Sequence, residues 1–357
     1  MRCFVLSAGI LAALVCLPAI ANADWFDDFE AYAPGSQIVG QGGWEEWAPN
    51  NGALVSNLYS QSPTNSVEIA ATTDLVHQYD GYTYGKWIYT AYQYIPSGYT
   101  GISNFILLNT YAYPGGPYFW SVQVAFDANT GMLDADCGSS NPVQNIPFVT
   151  DQWSKIECHI DLHLDWVQVY YNGTLLDDPA LPDHPVLGGG YQWTKGVFGG
   201  DDGALNIAAV DLFGNSASPV YYDDMSIQPG DPSVDIKCNG EDAGVQVAQA
   251  DNVSLDISIA AGNQFGVNHD HWVVVNTSFG WFSYLGAGFW SNNGAFPYQA
   301  AFTGPIFDVE TANVLNQTLP LGNYKAYIAV EAPANGSLLP WPPPTLYMDM
   351  VDFDVVP

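Results

Sequence analysis

The chain is almost without arginine. Of its 357 residues only Arg2 is one, and five lysines stand against 37 aspartates and glutamates, for a formal net charge of −31. A protein that grips phosphates needs Lys and Arg to neutralise them, so nucleic acid and anionic lipid are excluded as partners. Neutral glycans and cations remain compatible with such a field. Beyond the first 20 residues no stretch reaches the roughly 20 apolar residues of a membrane span. Helical periodicity is missing from 24–228. Catalytic signatures are missing as well: there is no G-x-S-x-G, no H-E-x-x-H and no phosphate-cradling glycine loop. Charged residues make up only 12%, which excludes an acidic disordered tail, whereas Phe, Trp and Tyr reach 14%, which suits packed strands and sugar stacking.

What is present starts with a leader. Arg2, an apolar run and Ala21-Asn22-Ala23 read as a secretory signal peptide over 1–23, so the expected location is extracellular or at the cell surface. The remaining 334 residues suit two domains. Three cysteines follow the leader. An exported protein meets oxidising conditions, and Cys137 and Cys158, both in the first half, are the candidate bridge. Cys238 is then free or buried.

Two short stretches organise the first half, WFDDFEAY at 25–32 and VYYDDMSI at 220–227. Each pairs two aspartates with alternating apolar and aromatic residues and reads as a strand. They are expected to lie side by side as the first and last strands of one sandwich. Alternating runs recur between them at 66–70, 86–94, 104–109, 119–126, 155–162, 166–171 and 204–213, separated by Gly, Pro, Asn and Asp. Asn172-Gly173 is a hairpin turn signal. Beyond the break at Gln228-Pro229-Gly230-Asp231-Pro232, alternating runs resume and continue to the C-terminus. The expected fold is therefore all-β, with domains at 24–228 and 229–357.

The W-x-K-I pattern from Trp153, followed by IDL, V-x-V-Y-x-N-G and the closing YYDDMSI, resembles concanavalin A-like lectin/glucanase (laminin-G-like) jelly rolls. The block opening DIKCNGED and carrying LPLGNYKAYIAV resembles immunoglobulin-like β-sandwich modules of secreted bacterial proteins. These resemblances imply a lectin-like jelly roll followed by an immunoglobulin-like module. Such jelly rolls often hold a structural calcium near their termini. The resemblance thus implies Asp28 and Asp224, then Asp223, as oxygen ligands; otherwise these aspartates simply face water.

Several constellations compete as sites. His159, Asp161, His163 and Asp165 alternate with apolar residues, which predicts one strand face and, more plainly, a solvated one. His269-Asp270-His271 reads as a polar loop end. Glycosidases on the lectin-like fold commonly carry E-x-D-x-E, which is absent, and of the adjacent Glu45 and Glu46 only one can face a given cleft. The aromatic candidates for sugar stacking are Trp44, Trp47, Tyr111, Tyr113 and Tyr118, whereas Trp87, Tyr89 and Trp120 are expected in the core. Seven aromatics from Trp281 to Tyr298 lie in a Gly/Asn-rich segment expected to be a long loop and a candidate protein-contact patch. The expected function is non-catalytic carbohydrate binding by a secreted protein. The alternatives are a structural or adhesion protein with a protein partner, or a polysaccharide hydrolase or lyase.

Overall fold

The two aspartate-bearing stretches do pair. In the computed structural model Trp25 lies opposite Ile227, Phe26 opposite Ser226 and Asp27 opposite Met225 in an antiparallel ladder. Residues 25–137, 146–178, 181, 183, 187–195, 203–294, 300–332, 334 and 345–357 are described. The leader at 1–23, Phe296, Tyr298 and the sequence Trp341-Pro342-Pro343-Pro344 lie outside them.

The fold is all-β. In chain order the first module carries β1 (Trp25–Asp27), β2 (Trp44–Glu46), β3 (Leu54–Ser56), β4 (Ser66–Ile69), β5 (Asp74–Gln78), β6 (Lys86–Tyr94), β7 (Ile102–Tyr111) and β8 (Tyr118–Asp127). It continues with β9 (Met132–Asp136), β10 (Trp153–Asp161), β11 (Trp166–Tyr171), β12 (Thr174–Leu176), β13 (Tyr191–Gln192), β14 (Ala209–Asn215) and β15 (Val220–Pro229). Among the described residues these form two sheets. One runs β12-β11-β10-β6-β15-β4-β3, with β1 paired to β15 and β13 to β11; the other runs β2-β5-β14-β7-β8-β9. Alternation explains the layering, because successive side chains point to opposite faces. Tyr89, Cys158, Val169 and Tyr222 from the first sheet meet Trp44, Leu107, Val122 and Val210 from the second in one buried core. Asn172 and Gly173 both have positive φ, 47° and 77°, as the two-residue turn between β11 and β12 requires.

The second module holds β16 (Ser233–Cys238), β17 (Val245–Ala248), β18 (Val253–Ala260), β19 (Asn268–Thr277), β20 (Gly280–Tyr284), β21 (Trp290–Gly294), β22 (Phe302–Pro305), β23 (Val309–Gln317), β24 (Gly322–Ala332) and β25 (Thr345–Val356). Its sheets run β16-β18-β23 and β17-β25-β24-β19-β20-β21, with β22 paired to β19. A separate core of Ile236, Leu255, Val273, Ile328 and Phe353 lies between them. The aromatic segment expected as a long loop is instead largely the β20–β21 hairpin, in which Tyr284 lies opposite Trp290. Val275, Phe282, Trp290, Leu315, Pro320 and Tyr324 line an apolar pocket of about 250 Å³, with Phe279 at its mouth 62% exposed.

Candidate functional site

The second sheet of the first module has an outer face that is not ordinary solvent-facing sheet. Register fixes what lies on it. Glu45 is opposite Val76, Val76 opposite Asp211, Asp211 opposite Ile106, Ile106 opposite Gln123 and Gln123 opposite Asp136. Residues directly opposite share a face, so this row crosses all six strands on the side away from the core. The next row is Asp74, Phe213, Asn104, Ala125 and Asp134. Val76, Ile106, Leu108 and Ala209 make a small apolar floor, packed by Trp47, Tyr111, Tyr118, Trp120 and Phe213.

Aromatic rings wall this floor. The Trp47 backbone N–H donates to the Asp74 carbonyl (2.9 Å), which continues the β2–β5 edge and throws the indole onto the outer face. Its ring lies 13° from parallel with Trp120 at 5.9 Å, 4.8 Å from Tyr118 and 4.9 Å from Tyr111. The cleft so formed has a volume of about 440 Å³ and is lined by Trp47, Tyr118, Trp120 and Phe213, with Asp74, Asp211, Gln123 and Ile106. Apolar rings beside a few convergent polar groups are the usual make-up of a small-ligand site.

Two carboxyls meet in it. Asp211 is only 4% exposed although it lies on the outer face. Burial pushes its carboxyl well above the usual range, and the neighbouring, hydrogen-bonded Asp74 adds to this. Burial also raises Asp74. Two like charges this close do not both ionise readily, so the pair holds a proton between them. Burial, with Glu45 nearby, likewise raises the Tyr111 phenol.

Of the aromatic candidates, Trp47, Tyr111 and Tyr118 come together here. Trp44 does not. It is 1% exposed in the core and its Nε1–H donates to Asp27 Oδ2 at 2.8 Å, because three residues along an edge strand reverse the face. Tyr113 is 40% exposed and outside the cleft lining. Trp87 and Tyr89 are core residues as expected, whereas Trp120 is a cleft wall. Glu45, and not Glu46, lies on the cleft's face.

Asp74 and Asp211 were not among the sequence candidates. The available signal was one acid inside the apolar run AAVDLF, since an aspartate there either interrupts a core face or marks a special outer one.

The terminal seam brings Asp28, Asp223 and Asp224 near one another, and protein donors already meet both Asp223 oxygens and one Asp28 oxygen. Asp223 is fully buried. Its Oδ2 accepts from the Gln61 and Ser62 N–H groups at 2.7 and 3.0 Å, and its Oδ1 from Asp224 N–H at 2.8 Å. Burial outweighs these bonds and raises it to about 6. Asp28 Oδ1 accepts from Glu30 N–H at 3.1 Å. Burial, with Asp28 and Glu30 close by, raises Asp224, which has φ of 46° beside a bulge in the β15–β6 ladder. Among the described residues no group of three or more His, Cys, Asp and Glu is arranged to hold a metal ion.

Three expectations elsewhere in the chain are corrected. The row His159, Asp161, His163 and Asp165 is not one face, because β10 ends at Asp161. Asp161 Oδ1 caps the turn by accepting from His163 and Leu164 N–H, and its Oδ2 meets Lys86 at 3.2 Å. Asp165, at φ 52°, accepts from Thr194. His269, Asp270 and His271 are not a loop end but buried positions on β19, opposite Gly304, Glu331 and Val330 respectively. Burial lowers His271. Cys137 and Cys158 are free thiols, as is Cys238. The first two sit in the apolar core, where burial pushes Cys137 up to about 12 and raises Cys158 well above its ordinary value.

No protein-family model matches the chain, and no curated protein matches it. Among solved structures it is similar to a sialidase, at 11% identity and a TM-score of 0.35, over 58% of this chain and 18% of that one. It is also similar to domain 4 of AbnA, a GH43 extracellular arabinanase from Geobacillus stearothermophilus in complex with arabinotriose (14% identity, TM-score 0.32, 57% of this chain and 81% of that one). A third is sheep galectin-11 in complex with glycerol (8% identity, TM-score 0.26, 41% and 95%). The chain thus spans less than a fifth of the sialidase it matches. Likenesses at these TM-scores carry no argument about what this chain binds.

Proposed function

We propose that the protein is a secreted or cell-surface, non-catalytic glycan-binding protein, built from a lectin-like jelly roll and an immunoglobulin-like module. Its site is the cleft on the outer face of the β2-β5-β14-β7-β8-β9 sheet. The observation that carries this reading is the wall of Trp47, Tyr118 and Trp120 standing over Asp74, Asp211 and Gln123. Sugar rings present C–H faces to aromatic rings and hydroxyls to polar groups, and this lining offers both.

Hydrolysis fits the cleft poorly. Glycosidase carboxyls stand roughly 5 Å apart for retention, or 6.5–9.5 Å for inversion, to leave room for a nucleophile or a water. Asp74 and Asp211 are hydrogen-bonded to each other. A protein partner is the second reading; it is supported by the apolar pocket of the second module with Phe279 at its mouth.

The test is affinity electrophoresis through a panel of soluble polysaccharides. A retarded wild type is expected to lose about tenfold or more in affinity, roughly 1.4 kcal/mol, in the double variant Trp47→Ala, Trp120→Ala. Retardation unchanged in that variant would discard the cleft as the site. Reducing-end release by the wild type would overturn the non-catalytic reading.

A further inference from the structure

Asp211 lies on β14 between Val76 and Ile106, buried in the lining of the cleft and hydrogen-bonded to Asp74. The charge around it is one-sided. Glu45 faces it from β2, Asp74 from β5, and Asp134 and Asp136 from β9, while β7 and β8 contribute Asn104, Tyr111, Tyr118 and Gln123. None of the six strands of this sheet carries a lysine or an arginine.

We propose that the cleft takes uncharged glycans and rejects anionic ones, with the Asp74–Asp211 pair offering acceptor oxygens to sugar hydroxyls. This rests on the cleft being a glycan site. A uronate or sulfate entering here would meet carboxyls in a partly dehydrated space with no cation to offset them, and repulsion between like charges a few ångströms apart grows as the effective dielectric falls. A neutral hydroxyl meets no such barrier. Raising the pH strips the proton between Asp74 and Asp211 and leaves two adjacent anions that hold water. Binding therefore weakens as pH rises, in the direction set by the upward shifts of both carboxyls.

The experiment uses the full chain and matched polymers: dextran, soluble starch and hydroxyethylcellulose, each beside its carboxymethylated counterpart, from pH 5 to 8. The neutral member is expected to bind at least about tenfold more tightly, and more tightly at pH 5 than at pH 8. Asp211→Asn keeps the size and a donor and acceptor but cannot ionise. It should shrink the neutral-to-anionic ratio to about threefold or less and flatten the pH profile. Asp74→Asn, at the less buried partner, repeats the measurement if the first variant does not fold. Equal binding of both members of a pair, or an unchanged ratio and profile in the folded variant, overturns this inference and leaves the glycan site standing. Binding that survives Trp47→Ala, Trp120→Ala overturns the site itself, and a wild type that binds none of these polymers overturns both.

Discussion

Replacing Asp27 by alanine should destabilise the first module far more than the same change at its neighbour Asp28. Asp27 is 8% exposed. Its Oδ2 accepts from Trp44 Nε1–H and from the Tyr32 hydroxyl, both at 2.8 Å, and its Oδ1 accepts from Phe29 N–H at 2.9 Å. Truncation leaves the Trp44 and Phe29 donors inside with nothing to bond, at about 1–3 kcal/mol each. The Tyr32 hydroxyl is partly exposed and can turn to water. The expected loss is therefore about 4 kcal/mol, and for a module of this size each kcal/mol lowers Tm by roughly 2–4 °C. Asp28 spends one oxygen on Glu30 N–H at a partly exposed site, so Asp28→Ala should cost under about 1 kcal/mol. Equilibrium urea unfolding of the full chain, followed by tryptophan fluorescence, measures both. A loss below about 1 kcal/mol in Asp27→Ala, or equal losses in the two variants, would refute the assignment of Asp27 as the polar anchor of the Trp44 corner.

Two further outcomes follow from titratable groups. Asp235 is raised to about 7 by burial, against the pull of Lys237, with Asp242 and Asp349 adding to the rise. A carboxyl raised in the folded state favours folding most below its unfolded value near 4 and progressively less as pH climbs towards 7. Wild type should therefore lose about 1–2 kcal/mol between pH 4 and 8 that Asp235→Asn does not, after discounting for solvent screening; parallel urea stability profiles for the two proteins would contradict this. At the seam, the Asp223 carboxylate already accepts from Gln61, Ser62 and Asp224 N–H. With those bonds in place the Tm should be the same in millimolar calcium and in chelator, whereas a rise of several degrees with calcium would support Asp28, Asp223 and Asp224 as ligands.

Periodicity carried most of the fold, because a two-residue repeat is a local property of the chain. The pairing of 25–27 with 225–227, the Asn172-Gly173 turn and the burial of Trp87 and Tyr89 were all legible from alternation and turn chemistry. Alternation failed where a strand stopped. His163 and Asp165 kept the right parity in letters, but β10 ended at Asp161, whose side chain starts the turn. His269 and His271 read as polar, yet strand pairing on both sides of β19 buries them. The cleft was half legible. Its aromatics stood out by composition, but the meeting of Asp74 with Asp211, 137 positions later, depends on β14 inserting between β5 and β7, and no local pattern announces that neighbour.

That insertion has a consequence for how the protein is made. The strand at the centre of the cleft sheet, β14, and a central strand of the opposite sheet, β15, are the last of their module to leave the ribosome. Until about residue 215 has emerged, β5 and β7 have no strand between them, and until about residue 230 neither β1 nor β4 has its β15 partner. Because such distant pairings must all close together, folding should be slow and cooperative, with no stable half-module during synthesis. A nascent chain truncated before Ala209 would carry every aromatic of the cleft but Phe213 and still have no site.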